Sequence, residues 1–136
     1  MVQLAQADLN NELSVRRRVF KAVLCALVGE HLTHLPLLFR SFSNCLAPGG
    51  RLVFSVFHPE MAAAGIEAHF EEDGVEYRLG AFRYTVDDYL NLIDAVGFRN
   101  LKREEFCGDE ALVKEIPRAV KYLNRRLLLV IHAHRS

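Results

Sequence analysis

Two histidines follow apolar runs of the sequence, and imidazole is a side chain that can move protons near neutral pH. His31 comes after the run at residues 22–28, with Glu30 beside it, and His58 follows the run at residues 52–57. Either ring can remove a proton from an oxygen or nitrogen nucleophile, so both are candidate catalytic residues. The structural alternatives are a backbone hydrogen bond for His31 and a strand end at Pro59 beside His58.

Other polar residues are weaker candidates. His31 and His34 are three positions apart, but no third ligand accompanies them, so no metal site is predicted. Aromatic and basic residues between positions 58 and 84 are possible substrate contacts, although such residues in a hairpin also cover a core: Tyr77, Arg78, Arg83 and Tyr84. His132 and His134 alternate near a strand end and are not predicted to bind a ligand.

The elements that would position these residues begin with three apolar runs, at residues 22–28, 52–57 and 127–131. Unbroken apolar runs of this length are typical of strands that are buried on both faces. An amphipathic helix is predicted between the first two runs, with Thr33 as N-cap and Pro36 in its first turn. Pro48-Gly49-Gly50 ends that helix, so the order predicts a right-handed parallel crossover.

The later elements also have clear signals. Thr85 to Asp88 predicts a capping box before a second helix, and residues 98–106 predict a strand. Asp73-Gly74 predicts a hairpin inside an elaboration at residues 58–84, which we interpret as a lid or substrate-side segment. Short helices interrupted at Pro117 are expected over residues 109–122. Residues 2–7 are a possible strand, and the basic triplet at 16–18 is interpreted as a solvated loop.

Length and composition favour one domain over residues 1–136, because 136 residues support one core. The 17 basic and 17 acidic side chains balance, so nothing predicts a nucleic-acid or membrane partner. The three cysteines are scattered without a C-x-x-C pair, which favours a reducing, cytoplasmic setting. No secretory signal and no membrane-length apolar run is found.

The order of motifs resembles the later part of the class I S-adenosylmethionine (SAM)-dependent methyltransferase family. The similarity lies in Ala7-Asp8-Leu9, residues 20–27, the turn at residues 46–55 that contains Pro48-Gly49-Gly50, and Ala95-Val96-Gly97-Phe98. The resemblance implies an α/β fold: a partial Rossmann-like methyltransferase domain with a mostly parallel sheet. Its C-terminal strand, near residues 127–133, would be antiparallel and inserted beside the family's fifth strand.

The resemblance also implies a SAM site at the carboxyl ends of the strands. Asp8 matches the acid that accepts a hydrogen bond from the adenine amino group, and Leu9 follows it. Residues Ala26, Leu27 and Val28 match the end of the fourth strand beside the cofactor, with His31 next to them. The expected reaction is methyl transfer from SAM to a small-molecule acceptor, by attack of an oxygen, nitrogen or carbon on the sulfonium methyl.

Two departures from the family pattern open an alternative. The glycine-rich loop that normally approaches the cofactor has no counterpart, and Lys21 stands where an aspartate is usual. These departures predict weak or absent SAM binding, and the chain is expected to be a truncated domain. The alternative function is a non-catalytic methyltransferase-like binding module. An exposed sheet edge would then allow it to form a homodimer.

Overall fold

The computed structural model describes residues 1–136. The helices and strands, in chain order, are β1 (Phe20–Ala26), α1 (Leu35–Cys45), β2 (Leu46–Phe57), α2 (Pro59–Ala63), β3 (His69–Glu72), β4 (Val75–Arg78), α3 (Val86–Ala95), β5 (Phe98–Cys107), α4 (Glu110–Glu115) and β6 (Arg126–Arg135). Two 3-10 helices, Gly29–His31 and Pro117–Tyr122, complete the set. The three predicted apolar strands and both amphipathic helices are therefore confirmed, as are the short helices on either side of Ile116.

Four strands form the main sheet in the order β1-β2-β6-β5. β1 and β2 are parallel, with Cys25 opposite Phe54, and β6 is antiparallel to both of its neighbours. Three strands thus run one way and the C-terminal strand runs the other way between two of them. This mixed sheet confirms the predicted α/β fold class, including the antiparallel C-terminal strand beside β2.

α1 connects the two parallel strands, and its start differs from the prediction. Pro36 lies in the first turn as expected, but the N-cap is His34 and makes no side-chain cap hydrogen bond. The Thr33 hydroxyl instead donates to Oδ1 of Asn10 at 3.1 Å, and that oxygen also accepts from the backbone N–H of His34. Thr33 as N-cap is therefore wrong, because the amide of Asn10 satisfies the helix start from a distant part of the chain.

The second helix and the hairpin form as their local signals predict. The Thr85 hydroxyl accepts from the Asp88 N–H, and the Asp88 carboxylate accepts from the Thr85 N–H, which closes the capping box of α3. Asp73 and Gly74 both have positive φ, at 52° and 75°, as a type I′ turn requires. β3 and β4 pair around this turn as a separate two-stranded sheet.

The helices α1 and α3 pack on one face of the main sheet only. Their apolar stripes and the inward residues of the strands form a cluster of 16 buried residues, including Phe39, Phe54 and Ile93. The opposite face is uncovered: the side chains of Leu24, Phe57 and Phe106 are 74%, 43% and 49% exposed. β1 is also an edge strand, since β2 is its only neighbour in the sheet.

The N-terminal segment does not form the predicted strand. Residues 1–8 have no regular structure and are exposed up to Asp8, because no neighbouring strand lies beside them to complete a ladder. The chain then turns and approaches α1, where the Leu13 N–H donates to the Ser41 hydroxyl at 3.1 Å. Elsewhere in the fold, no helix is both long and apolar enough to cross a membrane.

Candidate functional site

The parallel strands β1 and β2 end at the same edge of the sheet, which is where open α/β sheets place their ligands. β1 stops at Ala26, and Leu27 then adopts a left-handed backbone with φ of 56°. That conformation is costly for a branched side chain, and such strain concentrates at functional sites. The Leu27 N–H donates to the Ser55 carbonyl at 2.8 Å, which holds the strained turn against β2.

Gly29 brings this turn close to the core. A Cβ atom at residue 29 would lie 2.4 Å from Cζ of Phe54 and 3.1 Å from Cγ1 of Val56. No side chain fits at those distances, so only glycine lets the 3-10 helix Gly29–His31 press against β2. The position of Glu30 and His31 is therefore fixed by close packing of the backbone.

Glu30 is the most unusual residue at this edge. It is 5% exposed, and neither of its carboxylate oxygens has a hydrogen-bond partner in the chain. Burial, followed by the nearby Glu30 carboxylate, raises the pKa of the Cys25 thiol to about 11. The same two causes, in the same order, raise the pKa of Tyr89. From the sequence, Glu30 is predicted to follow a strand end, but no function is predicted for it. The signal that could have indicated one is a charged residue directly after a buried strand.

Residues 80–84, here called the strap, cross over Glu30 and His31. The Phe82 N–H donates to the Glu30 carbonyl at 2.7 Å, and the Tyr84 hydroxyl donates to the Leu32 carbonyl at 2.7 Å. Nδ1 of His31 lies 2.6 Å from the carbonyl oxygen of Gly80. A carbonyl only accepts, so Nδ1 carries the proton and the lone pair of neutral His31 is on Nε2. Nε2 lies 3.9 Å from Oε1 of Glu30.

His58 lies at the end of β2 and both of its ring nitrogens are in hydrogen bonds. Nδ1 accepts from the Glu60 N–H at 3.2 Å and caps α2, and Nε2 lies 3.1 Å from Oε1 of Glu105. Since a backbone N–H only donates, the ring proton is on Nε2. The ring is 2% exposed and has no free lone pair, so this geometry favours the structural alternative; the catalytic role of His58 stays a prediction.

Asp8 and Leu9 lie in the turn by which the N-terminal segment approaches α1. The two oxygens of Asp8 accept from the Asn10 N–H and the Asn11 side-chain amide, as in a local turn. Leu9 is half-buried against the core. Asn10 connects this turn to Thr33 and His34, so the segment lies against the start of α1. The adenine role of Asp8 stays a prediction.

The other candidates lie at two places, the exposed hairpin and a groove beside His58. Tyr77 and Arg78 lie on the exposed hairpin, where Tyr77 stacks on Phe70 with ring centroids 4.9 Å apart. Arg83 lines an open groove of about 470 Å³ with His58 and Tyr84. His132 pairs with Glu104 at 2.9 Å. No group of three or more His, Cys, Asp or Glu side chains is gathered as a metal site would require.

SAM can be tested against this edge of the sheet. Ala26 and Leu27 are exposed and Val28 is half-buried. These three residues form an open apolar surface at the end of β1, here called the wall, that fits one side of a nucleoside-like group. The chain has no glycine-rich turn to approach the cofactor, and the Asp8 oxygens, which the resemblance assigns to the adenine amino group, already accept from Asn10 and Asn11. The residues present therefore fit one side of SAM and leave the other side unformed.

Comparison with known proteins agrees with this architecture. The family model described as "Methyltransferase domain" matches residues 2–103. A SAM-dependent methyltransferase from Mesorhizobium loti is 25% identical with a TM-score of 0.74, the match covering 95% of this chain and 68% of that one. A Listeria monocytogenes protein assigned to the same activity is 17% identical with a TM-score of 0.76, covering 97% of this chain and 68% of its own.

A more distant structure is phosphoethanolamine N-methyltransferase 2 of Haemonchus contortus, in complex with phosphomonomethylethanolamine and S-adenosylhomocysteine. It is 11% identical with a TM-score of 0.64, and the match covers 95% of this chain and 36% of that one. No curated protein matches the chain by sequence. The family match covers three-quarters of the residues, and the strand order and the solved structures agree with it: the chain belongs to the class I SAM-dependent methyltransferase family.

Proposed function

We propose that the chain acts in methyl transfer from SAM to a small-molecule acceptor, and that it supplies the acceptor side of the site. The observation that carries the proposal is His31, whose tautomer is fixed at the carboxyl edge of the parallel strands. Because Nδ1 is committed to the Gly80 carbonyl, Nε2 is the basic nitrogen. A fixed base next to a strand end is the arrangement that proton removal from an acceptor needs.

The roles proposed for the other residues follow from their positions. The wall of Ala26, Leu27 and Val28 would border SAM, and the strap would exclude water from the acceptor. SAM, when bound, supplies an electrophilic methyl group whose bond to sulfur breaks as the acceptor bond forms, the electron pair staying on sulfur. His31 would accept the proton that an oxygen or nitrogen acceptor releases.

Calorimetric titration with SAM and with S-adenosylhomocysteine tests the proposal directly. We expect binding to the wild type, weakened about tenfold by Ala26→Trp, which places a bulky ring on the wall. Ala64→Trp is the matched control, since Ala64 is also exposed but lies at the end of α2. Absence of heat at millimolar ligand would count against this function.

A second candidate is a non-catalytic module that pairs with another copy of itself. It is supported by the free edge of β1 and by the exposed Leu24 and Phe20 on that strand, which are 74% and 44% exposed. Edge pairing in this form needs no cofactor. The three free cysteines support a reducing, cytoplasmic setting for either function.

A further inference from the structure

The Glu30 carboxylate is buried without a hydrogen-bond donor, and packing does not compensate for the lost hydration. Its side chain is 7% exposed, and both carboxylate oxygens are without a donor in the chain. A buried carboxylate without partners is strongly disfavoured, and such groups are retained where they have a function. The nearest cationic candidate is His31, but its Nε2 is 3.9 Å away, beyond hydrogen-bond range.

The surroundings of Glu30 are aromatic and apolar. Tyr89 is 2% exposed, and its phenol is close enough for the Glu30 carboxylate to raise its pKa after burial. The Tyr84 ring lies 5.3 Å from the Tyr89 ring and 6.3 Å from the Phe82 ring, centroid to centroid. A carboxylate beside electron-rich rings is the combination that attracts an organic cation, through charge and through the ring faces.

The strap is the segment that is hydrogen-bonded to the backbone of Glu30 and to the ring of His31. It connects to the 3-10 helix and Leu32 through hydrogen bonds of Gly80, Phe82 and Tyr84, while the Phe82 side chain is 46% exposed. Tyr84 packs against the core, whereas Gly80 and Phe82 are each connected through a single hydrogen bond, so the start of the strap is its less firmly held part. Moving residues 80–82 would break hydrogen bonds to Glu30 and His31 but none within the main sheet.

We propose that Glu30 recognises a protonated amine, so that the methyl acceptor is an amine admitted beneath the strap. This inference rests on the proposed methyl transfer. The ammonium would pair with the Glu30 carboxylate and, once the strap has returned and His31 Nδ1 again donates to Gly80, pass one proton to Nε2 of His31. The N–H bond breaks, its electron pair stays on nitrogen, and the neutral amine is then the nucleophile.

The test uses three amines, phenethylamine, n-hexylamine and ethanolamine, each paired with the compound in which hydroxyl or hydrogen replaces the amino group. Binding to ¹⁵N-labelled protein is followed through the amide signals of His31, Phe82 and Tyr84, without SAM. We expect each amine to bind more tightly than its neutral partner compound. Glu30→Gln should reduce that affinity about ten- to hundredfold, the range for losing a charged hydrogen bond.

Two controls separate recognition from folding. Glu71→Gln removes a carboxylate from the exposed hairpin and should leave amine affinity unchanged. Glu30→Gln should melt at the same temperature as the wild type or higher, because it removes an unpaired buried charge. Equal affinity for amines and their neutral partners, or full amine affinity in Glu30→Gln, would overturn the inference.

The same measurements distinguish this inference from the proposed function. Amine binding that depends on Glu30 in a protein that binds no SAM would support the amine site and reject methyl transfer by this chain alone. Release of S-adenosylhomocysteine with an alcohol, and not with the amine, would support methyl transfer and reject the amine site.

Discussion

Nε2 of His58 donates to Oε1 of Glu105 across 3.1 Å, joining the end of β2 to β5 over the intervening strand β6. This hydrogen bond is the first cause that lowers the pKa of Glu105 below its ordinary value of 4.5, with the charges of Arg126 and Arg103 contributing further. The pair therefore closes the carboxyl edge of the sheet on the side away from β1.

Replacing His58 tests whether this contact is structural. His58→Ala removes the cap of α2 and the bond to Glu105, and should lower the free energy of unfolding by about 2 kcal/mol. Urea unfolding measures it. His69→Ala, on the exposed hairpin, is the control and should change little. A variant as stable as the wild type would show that the buried ring contributes nothing to the fold.

The lowered pKa of Glu105 gives the stability a pH dependence of known sign. A carboxylate with a depressed folded pKa stabilises the protein above its unfolded pKa, and this contribution is lost as pH falls through the folded pKa. The melting-temperature difference between wild type and Glu105→Gln should be largest at neutral pH and should vanish in acid. Glu110→Gln, at an exposed helix start, is the control. A difference that grows with acidity would contradict the assignment.

The close approach at Gly29 predicts a packing defect on substitution. Gly29→Ala should destabilise the protein by about 1–3 kcal/mol, since the methyl group would overlap the Phe54 ring. The double variant Gly29→Ala with Phe54→Leu should be less destabilised than the sum of the single changes. Strict additivity, measured by chemical unfolding, would show that the two positions do not press on each other.

Thiol labelling should distinguish the exposed cysteine from the two buried ones. Cys107 is exposed, whereas Cys25 and Cys45 are buried and both have raised pKa values, mainly through burial. One thiol should therefore react quickly with a disulfide reagent under native conditions, and Cys107→Ser should remove that fast phase. Glu30→Gln should lower the pKa of Cys25, because the Glu30 charge is its second cause. Fast labelling in Cys107→Ser would indicate that the core opens.

Dimerisation through β1 is testable by light scattering. Leu24→Lys puts a charge on the exposed edge strand, where charges oppose strand pairing, and should shift the protein toward the monomer. Val75→Lys, on β4 of the hairpin, is the control, because Val75 is also an exposed apolar residue of a strand but lies outside the main sheet. A wild-type protein that stays monomeric at high concentration would reject the dimer.

The sequence predicts the fold well wherever the signal is local. The capping box at Thr85, the turn at Asp73 and the apolar run of β2 each depend on neighbouring residues, and each forms as expected. Residues 2–7 fail as a strand because pairing needs a partner, which no local pattern supplies. Thr33 fails as an N-cap for a related reason: its competitor, Asn10, is 23 positions away.

The candidate site is predictable in place but not in detail. The carboxyl edge followed from the parallel strands, and His31 lies there. What the sequence does not reveal is that residue 80 is in contact with residue 31, a separation of 49 positions. That contact fixes the His31 tautomer. Long-range contacts of this kind leave no periodic signal, which is why Glu30 received no role.

The hairpin of β3 and β4 has a practical consequence. All eight of its strand residues are exposed, and its turn at Asp73-Gly74 lies away from the main sheet. Exposed loop tips of this kind accept inserted sequence with little loss of stability. A peptide tag placed between Asp73 and Gly74 should therefore leave the main sheet folded and both termini free for immobilisation.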